Sequence, residues 1–129
     1  MNQAMIMELQ EKYSISNQLE EQFNLISQQV NELEDFGVHL SELDSSNENE
    51  ILASLGKGVY IPSTIKEKEL YVNVGSGIFV KKKPGEAKKV VEGQLKELAK
   101  AREELAERIE GLNEEMRELM QKLETEKAK

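Results

Sequence analysis

From Val91 onward, apolar residues return at alternating steps of four and three: Val91, Leu95, Leu98, Leu105, Ile109, Leu112, Met116, Leu119 and Leu123, with Arg102 the one break. That spacing keeps a single narrow stripe facing a partner helix. The residues between are mostly Glu, Lys, Arg, Gln and Ala, all good helix formers. Pro84 and Gly85 precede the segment and Glu86 opens it, which predicts a helix over residues 86–127. At ~1.5 Å per residue this is a rod of roughly 60 Å.

Such a stripe needs a partner, and the N-terminal third carries one. Leu19, Phe23, Ile26, Val30, Leu33 and Leu40 keep the same spacing, with Gly37 at the step before Leu40. Extended backward, the pattern reaches Ser16, Lys12, Leu9 and Met5, so the seam falters at Lys12 and Ser16. A helix is expected over residues 1–44, ended by the polar cluster DSSNEN. Residues 1–50 hold eleven acids and only Lys12 as a cation, whereas residues 51–129 hold sixteen cations and fourteen acids. Helices from the two halves therefore attract one another weakly.

Residues 50–83 differ in composition. EILASL, GVYIPSTI, LYVNV and GIFVKKK are short β-branched and aromatic stretches, and LGKGVYI returns nineteen positions later as VGSGIFV. Each G-x-G is followed by strand-forming residues, not by a helix N-terminus that could face an anion. These glycines are expected to turn two β-hairpins, supplying the positive φ of tight turns. Pro62 would remove a ladder bond from a central strand, so an edge or a bulge is expected there.

Composition narrows the function. The formal charge of -8 argues against a general nucleic-acid binder. Without Cys there are no disulfides, thiolate metal sites or thiol catalysis. No leader peptide is expected, because the opening residues lack a basic region. No run approaches the ~20 apolar residues of a membrane span. His39, the one histidine, stands beside the seam as a solvated residue. Lys81, Lys82 and Lys83 read as the charged end of a strand. No catalytic residue, metal ligand or cofactor site is identified, and an enzyme is the least favoured class.

All five methionines, Met1, Met5, Met7, Met116 and Met120, lie near the termini. If the helices fold back on one another, the methionines collect at one tip, where Ile6, Leu9, Tyr13, Leu119 and Leu123 add apolar surface; the alternative is that Met1 is the initiator and Met116 only a seam residue. Methionine is flexible and polarizable, and is over-used where unrelated partners are bound. Two hairpins with open edges are marginal in water, and the helical pair uses its own apolar stripe internally. The expected fold is thus α+β, mainly α: one domain, an antiparallel coiled coil with two central β-hairpins that other subunits bury.

In this, the chain resembles the prefoldin family, specifically the alpha subunit of archaeal prefoldins. The resemblance is carried by ILASLGKGVYI, LYVNVGSGIFVKKKPGEA and the flanking helices. It implies a cytoplasmic, ATP-independent chaperone in which two alpha and four beta subunits form a hexamer on a double β-barrel platform. Coiled-coil tips would hold unfolded polypeptide clients for a group II chaperonin. Carried onto this sequence, assembly falls to Ile51, Leu52, Leu55, Gly56, Gly58, Val59, Tyr60, Ile61, Leu70, Val72, Val74, Gly75, Gly77, Ile78, Phe79 and Val80. Client binding falls to the tip residues named above. Pro62 and a short N-terminal helix depart from the family pattern. The competing expectation is a coiled-coil scaffold or filament built on the same platform, without clients.

Overall fold

The computed structural model describes residues 3–127. Its elements are α1 (Gln3–Ser45), β1 (Glu50–Gly56), β2 (Val59–Thr64), β3 (Leu70–Gly75), β4 (Ile78–Lys82) and α2 (Pro84–Lys127). With 43 and 44 residues the helices are matched in length, so the N-terminal one is not short beside its partner. The chain divides into two compact units, Leu33–Leu95 and the remaining parts of α1 and α2.

In the Leu33–Leu95 unit, Leu40, Ala87 and Val91 are buried, and Leu33, Leu70 and Leu95 pack against them. Gly37 faces Val91, where a Cβ would meet the Val91 Cγ1 at 3.6 Å, an ordinary contact. The two helices run antiparallel here. α2 begins two residues earlier than the acidic signal at Glu86 suggests. Pro84 occupies its first turn, where a missing N–H costs nothing. The Lys83 carbonyl accepts hydrogen bonds from the Glu86 and Ala87 amides at 3.0 and 3.1 Å. At the other junction, the Ser46 amide donates to the Glu42 carbonyl at 3.0 Å and the Lys68 ammonium donates to the Ser46 carbonyl. The polar cluster thus ends α1, with the Glu42 carbonyl of its last turn partnered.

β1 pairs with β2 and β3 with β4, both antiparallel, as separate two-stranded sheets. The turns are near copies. Lys57 and Gly58 have φ of 52° and 78°, Ser76 and Gly77 of 51° and 74°. Positive φ at both central positions is what a two-residue type I′ hairpin turn needs. Each turn follows a one-residue register shift, between Ser54 and Gly56 and between Asn73 and Gly75.

Pro62 keeps its place in the ladder opposite Leu52, and the bulge lies at the turn instead. The Ile65 amide donates to the Asn49 carbonyl at 2.6 Å. By alternation, the hydrogen-bonded pairs of this hairpin are then Ile51–Ser63 and Ala53–Ile61. Pro62 falls at a non-bonded pair and removes no bond.

In the other unit, the seam buries Leu19, Val30, Leu105 and Leu119. Lys12 and Ser16 interrupt the apolar pattern without parting the helices. Ser16, 3% exposed, donates to the Asn113 Oδ1 at 3.5 Å, and Lys12 donates to the Glu115 Oε2 at 2.7 Å. Partner numbers fall along α2 as they rise along α1, so the pairing is again antiparallel. This ion pair joins the one N-terminal cation to an acid of α2, the reverse of the direction that the overall charge balance favours.

Candidate assembly and binding surfaces

The hairpins expose large apolar side chains to a degree a stable surface does not tolerate. Leu52 is 66% exposed, Leu55 68% and Phe79 59%; Ile51, Val59, Tyr60, Ile61, Val74, Ile78 and Val80 are also exposed. The register explains why one subunit cannot cover them. Ile51, Ala53 and Ile61 lie on one face of the first hairpin, and Leu52, Tyr60 and Pro62 on the other. Both faces are apolar, the pattern of strands that become buried on two sides.

The second hairpin is one-sided. Leu70, Val72 and Val80 share a face, on which Leu70 packs against the helical core and Val72 is half-buried. The opposite face presents Phe79 and Tyr71, with the Lys81 ammonium 5.5 Å from the Tyr71 ring centroid and 3.7 Å from the Glu69 carboxylate. Tyr71, 64% exposed, is missing from the assembly residues read from the sequence although it stands between Leu70 and Val72. Period-two alternation, which puts it on the Phe79 face, would have found it. The assembly glycines Gly56, Gly58, Gly75 and Gly77 are the turn and bulge residues, all with positive φ.

Toward the chain termini, Leu9, Tyr13, Met116 and Met120 line a groove of about 570 Å3, joined by Gln10, Asn113 and Arg117. Tyr13 and Met120 are exposed, and Leu9 and Met116 half-buried. Met5 lies in a different groove with Glu118, Gln121 and Lys122. Ile6 and Met7 are exposed outside both, Leu123 is half-buried, and Leu119 is 8% exposed within the seam. The tip residues named from the sequence are thus divided among two grooves, exposed positions outside them and the helical seam. Met1 lies outside the described residues.

The remaining candidates are modest. His39 is exposed, and Lys81 and Lys82 end β4, the strand-ending position expected of them. The hydrogen bond to Glu115, opposed in part by desolvation, holds the Lys12 ammonium above its ordinary range. Among the described residues no group of three or more His, Cys, Asp or Glu could hold a metal ion, and no helix is long and apolar enough to cross a membrane.

Residues 5–129 match the family model of the prefoldin subunit. The chain belongs to the prefoldin family. Members of that family are chaperones rather than enzymes, and assemble with other prefoldin subunits. Among solved structures, this prefoldin subunit is similar to the filamentous prefoldin of Methanocaldococcus jannaschii seen by cryo-electron microscopy. The two share 20% identity at a TM-score of 0.71, over 88% of this chain and 95% of that one. That likeness establishes the fold. None of the curated proteins searched matches the sequence.

Proposed function

We propose that this prefoldin subunit is of the alpha type and works as an ATP-independent chaperone in the cytoplasm. Two copies would join four beta subunits through the hairpins, closing a β-barrel platform. The helical tips would hold non-native polypeptides and release them to a group II chaperonin. One observation carries the reading: both hairpins expose large apolar residues, the first on both of its faces, while a separate apolar groove lies between the terminal parts of α1 and α2. Assembly and capture thus have different surfaces. The presence of two hairpins supports the alpha type, and the whole chain, coiled coil and hairpins together, is read as one functional domain.

Within the tip, the arrangement favours Leu9, Tyr13, Met116 and Met120 as the client-contacting set, with Ile6 and Met7 beside them. Leu119 supports that set from the seam. The test removes residues 1–13 and 117–129 and follows aggregation of a denatured client without nucleotide. The truncated subunit should enter the same oligomer and lose protection. Truncated complexes that protect as well as the full ones would overturn the tip assignment. Native mass spectrometry of the chain with its natural companions should give two copies with four of a smaller subunit; a long series of this chain alone would replace the closed complex with a filament.

A further inference from the structure

The terminal groove does not end at Asn113 and Arg117. Both residues also line a second groove of about 450 Å3, which continues along the same side of α2. Its floor is Phe23, Ala106 and Ile109, and Glu20, Glu110 and Glu114 rim it. The two are chemically unlike: carboxylates stand only around the second, while the terminal groove adds only Gln10 to the shared Asn113 and Arg117. Their apolar floors are offset by about eleven residues along the helices, or ~16 Å. Four or five residues of extended chain cover that distance at ~3.3 Å each.

We propose that the two grooves form one trough for an extended polypeptide with two apolar anchors four or five residues apart, the anchor in the Phe23–Ile109 bay being accompanied by Lys or Arg. The occupant follows from complementarity. Apolar floors at both ends take side chains, the carboxylate rim attracts a cation to one end only, and Asn113 and Arg117 between them can donate hydrogen bonds to carbonyls of the bound backbone. The trough gives direction to capture, since a segment bound the other way would place its cation at the end that has no carboxylates. This inference rests on the client-binding reading and extends it to a bay that an apolar-tip account leaves out.

The test uses the full chain in its native assembly and two fluorescein-labelled peptides. Both carry Leu and Phe anchors in a Ser/Gly background; one has Lys beside the Phe, the other Glu. Fluorescence anisotropy should give the Lys peptide an affinity higher by about fivefold. Glu110→Lys with Glu114→Lys should abolish or invert the preference, while the same change at Glu97 and Glu104, exposed residues lining neither groove, should leave it. Ala106→Trp, at an exposed position, should fill the bay and weaken both peptides with helix content unchanged. A preference that survives the Glu110/Glu114 change, or is lost equally at Glu97 and Glu104, overturns the directional trough. Met120→Glu separates the levels. If it abolishes binding while Ala106→Trp has no effect, the terminal groove stands and the second bay fails. If neither substitution matters, the client-binding reading itself fails.

Discussion

Glycine plays opposite parts in the two kinds of element. Gly58 and Gly77 sit at φ of 78° and 74°, where a Cβ meets no neighbour within 4 Å and the cost of a side chain is conformational. Gly58→Ala should therefore destabilise its hairpin by about 1 kcal/mol, read as a lower thermal midpoint of the assembled protein. Gly37 has ordinary helical surroundings and room for a methyl group against Val91. Gly37→Ala should stabilise by about 1 kcal/mol, raising the midpoint by about 4 °C for a chain of this size. A melt lowered by Gly37→Ala would mean that the helices need to approach more closely at that point than they do here. Lys57 and Ser76 also hold positive φ, which their residue types do not announce. In G-x-G the middle position resembles a spacer, and only the register shows it to be half of the turn.

At the level of elements, the heptad made both helices legible because its spacing is a direct consequence of helical geometry. Strand positions were equally open, since β-branched runs between glycines leave few alternatives. The pairing of polar seam residues was not. Lys12 and Ser16 look like a place where helices part, yet Glu115 and Asn113 meet them, and only the antiparallel offset reveals those partners. The grooves were hidden for the same reason, since Ala106 and Asn113 come beside Phe23 and Tyr13 only through that offset. A polar layer in an otherwise apolar seam fixes register while lowering stability. Lys12→Leu with Ser16→Leu should stabilise the helical pair by about 2 kcal/mol and slow amide exchange over residues 3–16 and 112–126. Unchanged exchange there would show that the polar layer does not limit opening. If capture uses an opened pair, the same variant should hold fewer clients.

For the whole molecule, the distribution of burial separates the parts that fold from the parts that assemble. The core of the Leu33–Leu95 unit has three buried apolar residues, while eleven large apolar residues of the hairpins are exposed. Two-stranded hairpins are marginal by themselves, so their stability must come from association. The strands should then melt at temperatures that rise with protein concentration, followed by infrared absorption, while the helical signal changes less. Leu52→Asp and Phe79→Asp place a charge on each hairpin where apolar surface is expected to be covered. Either should shift sedimentation from the oligomer toward the single subunit, with most helix content kept because the seam residues are untouched. A double variant that sediments as the native oligomer would mean that the hairpin faces are not the joining surface. The exposed Leu52 and Phe79 would then have to be covered within the chain by a movement of the hairpins themselves, and strand melting would be independent of concentration.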